Sequence, residues 1–401
     1  MATTRRSRKL LFGLLAMLIL LLLAEVAGRV AFFFKFRKVD TSLSVQGNAL
    51  QKDDAHLIFR NRSFYADYGF GFQNNEEGFK SEPGDTEMPH KTAGDYWVFL
   101  FGASAMEGMG SNKDGAWLDI TGVRDRTYET SIAFLLQQQL QIKMPDKQVR
   151  VFSAANSGFT VLQSQLQYQR LKEAYAMDFV ILMDGVNEPL IENNSLSVKE
   201  LIQTNWDAAP LHHAPLRYII PFTKNSALMY WMKQGLFEAK MNARLRKARE
   251  KGYPHRKEWL NREGTTAWAD SQAITTRSTL DSFSHYLQAF DRQLTADNMP
   301  HLLFIQPHLI LKQPELLTET EKALLHYYQS GETNNAYFNT YLKKMHNYAD
   351  TVSSKTIASL AFMHYNKFET FVDYCHFSSQ ANQQLAGFFA EQIFKEITTS
   401  E

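Results

Sequence analysis

The chain has one cysteine, Cys375, among 401 residues. That excludes a disulfide framework within the chain, and equally a cysteine-based metal cluster. It also lacks a charge excess, with 43 Lys and Arg against 42 Asp and Glu. Such a balance offers no electrostatic footprint for nucleic acid. Repeats and low-complexity tracts are missing beyond the N-terminal region. What is there instead is a globular composition, and 29 Phe and 17 Tyr suffice for a sizeable core.

The N-terminus carries the first positive signal. Arg5, Arg6, Arg8 and Lys9 precede an uncharged apolar run from Leu10 to Ala24, and apolar residues continue past Glu25 and Arg29 to Phe34. A bilayer core needs about 20 apolar residues. The run reaches that length when Glu25 and Arg29 sit near the far interface, where long side chains snorkel. A cleaved signal peptide competes with an uncleaved anchor. Val26-Ala27-Gly28 is a poor cleavage site, so an anchor over residues 1–38 is the expectation. Lys35, Arg37 and Lys38 follow the span, so the positive-inside rule is nearly balanced. A basic start most often leaves the short N-terminus in the cytoplasm. The long C-terminal part is then periplasmic or otherwise extracytoplasmic.

Residues 39–94 are polar and irregular, and read as a juxtamembrane stalk with some edge structure. The organised domain spans 95–401. Tyr96-Trp97-Val98-Phe99-Leu100-Phe101, ending in Gly102, is the pattern of a buried parallel strand and a tight turn. Further strands are expected at Val149–Phe152, Asp178–Met183 and His301–Gln306. Helices are expected at about Tyr128–Leu140, Leu162–Tyr175, Ser278–Leu294, Glu319–Tyr348 and Gln380–Ile397. Strands alternating with helices imply a parallel sheet covered on both faces, a three-layer α/β/α architecture. Residues 191–275 interrupt the rhythm. They read as an insertion, a lid or docking element, with a basic helical stretch around Tyr230–Lys251.

In open parallel sheets, ligands bind at the carboxyl ends of the strands. The residues just past each strand are therefore the candidates. Ser104 follows the first, on a tight turn whose N–H can face a developing oxyanion. Asn156-Ser157-Gly158 follows the second, and Gly158 lets backbone approach a ligand. Asp184-Gly185-Val186-Asn187-Glu188 follows the third, and Asn187 offers a side-chain amide. Before the last helix comes Asp373-Tyr374-Cys375-His376, where a carboxylate three residues from an imidazole can fix its tautomer. Each residue alone has an ordinary turn or loop reading. Together they supply a nucleophile (Ser104), a base (His376) with its orienter (Asp373), and oxyanion donors from Ser104, Gly158 and Asn187. A zinc site fits poorly, since no second His or acidic cluster with ligand spacing lies near His376. His308 and Cys375 read better as a structural histidine and a small buried hydrophobe. Glu107 and Asp184 are candidate pocket-lining acids, or plain loop acids.

This ordered set resembles the SGNH hydrolase superfamily, the GDSL-like lipases and esterases, over about residues 95–397. Gly102-Ala103-Ser104 matches the first block, Gly158 the second, Gly185-Val186-Asn187-Glu188 the third and Asp373–His376 the fourth. Asp-Tyr-Cys-His-Phe with Asn382, and Phe304-Ile305-Gln306-Pro307, resemble a bacterial membrane-anchored subgroup. Two positions depart: Ala103 stands where the family usually has Asp, and Glu188 where it usually has a second Asp. The resemblance implies a flavodoxin-like sheet and a serine hydrolase needing no metal or organic cofactor. Its substrate would be an acyl-ester small molecule or an acylated glycan or lipid. Alternatives are an O-acyltransferase acting on an envelope glycan, which uses the same residues, and a non-catalytic membrane-anchored binding protein.

Overall fold

A computed structural model describes residues 2–36, 51–54, 57–61, 66–67, 72–82, 85, 87–108, 128–188, 226–228, 231–232, 276–330, 342–346, 356–357 and 367–400. The strands in chain order are β1 (Gln51–Asp54), β2 (Ile58–Asn61), β3 (Ala66–Asp67), β4 (Phe72–Asn74), β5 (Lys80–Ser81), β6 (Asp95–Gly102), β7 (Gln148–Ser153), β8 (Phe179–Asp184), β9 (His301–Ile305) and β10 (Thr356–Ile357). The helices used below are α1 (Ala2–Phe36), α2 (Ser104–Glu107), α3 (Ile132–Lys143), α4 (Val161–Lys172), α5 (Thr276–Ala296), α6 (Glu319–Ser330) and α7 (Ser379–Ser400).

Strands β3 to β10 form one sheet in the order β10-β9-β8-β6-β7-β5-β4-β3. The pairs joining β7, β6, β8, β9 and β10 are parallel. The pairs joining β3, β4, β5 and β7 are antiparallel. The continuous apolar runs of the central strands have a direct cause: both faces are covered. Val98 and Leu100 turn to one face, with Val149, Val151, Phe179, Ile181 and Phe304. There they meet Ile132, Leu136 and Leu140 of α3 and Leu385, Phe389 and Ile393 of α7. Trp97, Phe99 and Phe101 turn to the other face, with Val180, Leu182, Leu303 and Ile305. They meet Val161, Tyr168 and Leu171 of α4 and Phe283, Leu287 and Phe290 of α5. The period-2 alternation thus feeds two apolar layers, and the expected α/β/α sandwich follows.

Helix starts obey local chemistry. Ser131 accepts the Phe134 N–H at the N-terminus of α3. Thr160 and Gln163 form a reciprocal capping box at α4, which starts one residue before the expected position.

The sheet reaches further than the sequence suggests. Three antiparallel strands from residues 66–81 extend one edge, so the polar 39–94 segment is more than a stalk and the domain begins before Tyr96. The two-residue β10 was also unforeseen, being too short to show a pattern. The expected helix Glu319–Tyr348 is described as Glu319–Ser330 and a helical stretch at 342–346, with 331–341 outside the described residues. Most of the 191–275 insertion and the Tyr230–Lys251 stretch also lie outside them, residues 226–228 and 231–232 excepted. Within α1, Leu11–Ala31 is 21 residues with mean hydropathy 2.5, long and apolar enough to cross a membrane.

Candidate active site

The chain runs from β6 to β7 on one side and then to β8 on the other. The carboxyl end of β6 is therefore the point where strand order switches, the usual ligand crevice of an open parallel sheet. Gly102 ends β6 at φ +143°, and a Cβ there would lie 2.1 Å from the Met183 carbonyl oxygen. Only glycine allows β6 and β8 to close that tightly. Ala103 follows in extended conformation without a capping side chain, and Ser104 opens the short α2.

Three of the predicted residues form one hydrogen-bonded chain. Ser104 Oγ lies 2.7 Å from His376 Nε2. His376 Nδ1 lies 2.6 Å from Asp373 Oδ2. Asp373 Oδ1 accepts backbone N–H groups from Cys375 at 2.8 Å and His376 at 2.7 Å. All three residues are buried. Burial pushes the Asp373 carboxyl up. The His376 ring beside it, with the two backbone donors, outweighs that and holds its pKa well below the usual carboxylate range. A carboxylate fixed on Nδ1 leaves Nε2 facing the serine hydroxyl, the tautomer a general base needs.

The loop carrying Asp373 and His376 is held from three sides. Phe371 and Phe377 form a β-bridge, with Val372 N–H donating to the His376 carbonyl at 3.0 Å. From the end of β9, Gln306 Nε2 donates to the Cys375 carbonyl at 3.1 Å, and Leu309 N–H donates to the Tyr374 carbonyl at 2.8 Å. Just upstream, the buried Lys312 ammonium donates to the Phe368 carbonyl at 2.8 Å and to Thr370 Oγ1 at 3.0 Å. Glu321 of α6 accepts the Thr370 and Phe371 N–H groups at 2.8 and 3.1 Å.

Gly158 has φ +86°, a left-handed turn between β7 and α4. Asn187 Nδ2 donates one hydrogen to the Phe159 carbonyl at 2.8 Å. An amide has a second N–H, so this bond anchors the group without exhausting it. The second and third blocks are tied together again by Glu188, whose Oε1 accepts the Val161 N–H at 2.9 Å.

Several residues support the site: Glu107, a candidate from the sequence, and Asn61 and Gln163, which were not evident in it. Glu107 is buried, and its Oε2 accepts the Ser157 N–H at 2.8 Å and the Ser157 hydroxyl. It bridges α2, which Ser104 opens, to the loop of Gly158. Asn61 of β2 donates its Nδ2 to the Ala155 carbonyl at 3.3 Å, and its N–H goes to Asn156 Oδ1. Gln163 Nε2 donates to the Leu57 carbonyl at 2.7 Å. The segment before the domain thus braces the second block. No spacing in the sequence signals contacts of that range.

The other candidates separate cleanly. His308 is buried, its Nδ1 accepting the Ile310 N–H at 3.2 Å, which makes it a cap for the following turn. Burial, with His346 nearby, drives its pKa down to about 3. Asp184 accepts the Ser164 hydroxyl at 2.7 Å and the Gly185 N–H at 3.2 Å. Burial, with the Glu188 carboxylate, pushes its carboxyl well above the ordinary range. Cys375 is buried beside the imidazole, its Sγ 3.8 Å from Nδ1. Donor atoms of Asp373, Cys375 and His376 all lie within 4.8 Å of one another. Two ligands on one zinc, each about 2.0–2.2 Å from it at a tetrahedral angle, sit roughly 3.4 Å apart. The 2.6 Å between Nδ1 and Oδ2 fits a shared proton instead.

No protein-family model and no curated protein matches the chain. Solved structures do match its fold at low overlap. An acetyl xylan esterase is 15% identical, with 74% of this chain and 99% of that one covered and a TM-score of 0.36. An acetylxylan esterase from Geobacillus stearothermophilus is 12% identical, with 75% and 96% covered and a TM-score of 0.34. A GDSL-like lipase from Parabacteroides merdae is 10% identical, with 75% and 96% covered and a TM-score of 0.35. Overlap that low leaves the function to be argued from the site itself.

Proposed function

We propose that the protein is a membrane-anchored serine esterase of the SGNH type, cleaving an acyl ester outside the cytoplasm. The observation that carries this reading is the continuous chain from Ser104 Oγ through the His376 ring to Asp373. In the proposed cycle, His376 Nε2 takes the Ser104 proton as Oγ attacks the ester carbonyl. Asp373 stabilises the imidazolium that forms and is not itself protonated. The oxyanion accepts hydrogen bonds from the Ser104 and Gly158 N–H groups and the second N–H of Asn187. The imidazolium returns its proton to the leaving alcohol, which departs as the acyl-serine forms. Water, giving a proton to His376 Nε2, then adds to the acyl carbon; the acyl–Oγ bond breaks, the imidazolium returns that proton to Ser104 Oγ, and the carboxylic acid leaves. No step calls on a metal or an organic cofactor.

The Leu11–Ala31 helix, by length and composition, serves as the anchor, with the catalytic domain on the side opposite the basic N-terminus. The test is release of short acyl groups from aryl esters by detergent-solubilised full chain. Turnover by the wild type that disappears in Ser104→Ala supports the reading. Equal rates in both proteins contradict it.

A further inference from the structure

Glu25, with Arg29 one turn on, interrupts an otherwise apolar span, six residues before its end at Ala31, or about 9 Å along a helix. A bare carboxylate at that depth is costly, and intramembrane acids face protein partners. Glu25 has four contacts, three of them more than 200 residues away. Its Oε1 accepts the Ala227 N–H and Arg29 Nε–H, both at 2.9 Å. Its Oε2 accepts the Ser226 hydroxyl at 2.7 Å and the Leu228 N–H at 3.0 Å. One turn on, the Gly28 carbonyl accepts the Trp231 indole N–H at 2.9 Å. Gly28 also leaves room for a backbone approach: a Cβ there would lie 3.2 Å from Ala227 Cβ and 3.3 Å from the Leu228 nitrogen. Small residues at a close crossing, polar bonds to one half-buried acid and an indole near the span's end are features of helix contacts inside membranes. Two apolar segments meeting only to escape water need none of those oriented bonds.

We propose that residues 226–228 and 231 of the insertion form a second membrane-seated contact, clamped on the anchor helix by Glu25 and Gly28. The clamp holds the insertion of the catalytic domain against the bilayer. It also gives Glu25 a function that a discarded signal peptide would not have. The proposal rests on the anchor reading above, and the experiment separates the two.

Full-length Gly28→Cys/Ala227→Cys protein in its native membranes is treated with a mild oxidant. Disulfides need Cβ atoms about 3.5–4.5 Å apart, so a shift of a few tenths of an ångström suffices. The one native cysteine, Cys375, is buried and does not compete. A disulfide closing this long loop is expected to speed migration without reductant. Gly13→Cys/Ala227→Cys, with the first thiol about 22 Å down the helix, is expected to give none. A second measurement leaves Gly28 untouched: Glu25→Leu is expected to speed tryptic cleavage at Lys224 and Lys233 at least ten-fold while the protein stays in carbonate-washed membranes. Retained protein with no 28–227 disulfide, and with cleavage unchanged by Glu25→Leu, overturns the clamp alone. Soluble protein lacking residues 1–30 overturns the anchor reading and the clamp with it.

Discussion

Two buried charged clusters lie side by side in this protein, and they are put to different use. In one, Lys312 Nζ donates to Glu321 Oε1 and Oε2 at 2.9 and 2.6 Å, and to two further oxygens near residues 368–370. The Glu321 carboxylate also accepts the Thr318, Thr370 and Phe371 N–H groups. Both side chains are fully covered, at 0% exposure. In the other, Asp373 is equally bound by backbone N–H groups, but its side-chain partner is an imidazole whose far nitrogen ends on a serine hydroxyl. The first cluster is closed, with donors and acceptors consumed internally. The second is open at one end, and that end is the Ser104 hydroxyl. The closed network fixes the backbone just before the open one. Buried charge alone therefore does not mark a catalytic site; a chain of polarised bonds ending in a reactive atom does.

If that division is right, breaking each cluster has a different signature. The largest expected effect is on turnover. Ser104→Ala should lower kcat by about 10⁴–10⁶-fold, and Asp373→Asn by about 10⁴-fold, with melting temperature changed little for Ser104→Ala. Ester hydrolysis and thermal melts on the same preparations check this. Next comes stability: Lys312→Met should cost about 3–5 kcal/mol by stranding the Glu321 carboxylate, read by denaturant unfolding. The double change Lys312→Met/Glu321→Leu should recover part of that loss, which would show that the cluster is structural. A smaller effect on turnover, about 10²–10³-fold, is expected for Asn187→Ala.

The smallest expected effect is on pH dependence. Burial lowers His308 to about 3 and His346 to about 4, against 6.5 for a free histidine. The unfolded chain therefore takes up these protons first as pH falls. Stability present above about pH 6.5 should be lost progressively between about 6.5 and 3, and His308→Gln should flatten part of that slope.

The sequence revealed the strands because both sheet faces are buried, which writes Trp97 to Phe101 as an unbroken apolar run. It offered Ser104, Gly158, Asn187, Asp373 and His376 as candidates because each follows a strand or precedes the last helix. The distances linking Ser104, His376 and Asp373 came only with the structure. Strands β3, β4 and β5 were hidden, since two- and three-residue edge strands carry no periodicity. Asn61, and the contact made by the candidate Glu107, were hidden for another reason. Their partners, Ser157, Ala155 and Asn156, are 50 to 95 residues away, and nothing local distinguishes such an acid or amide from a solvated one.

The central claim is that Ser104 is an activated nucleophile. Its most direct test is labelling of detergent-solubilised full chain with a fluorophosphonate probe, with the modified residue mapped by mass spectrometry. Stoichiometric modification at Ser104, abolished in His376→Ala, is the predicted result. Folded protein that stays unlabelled at Ser104, or labels equally without His376, would contradict the account.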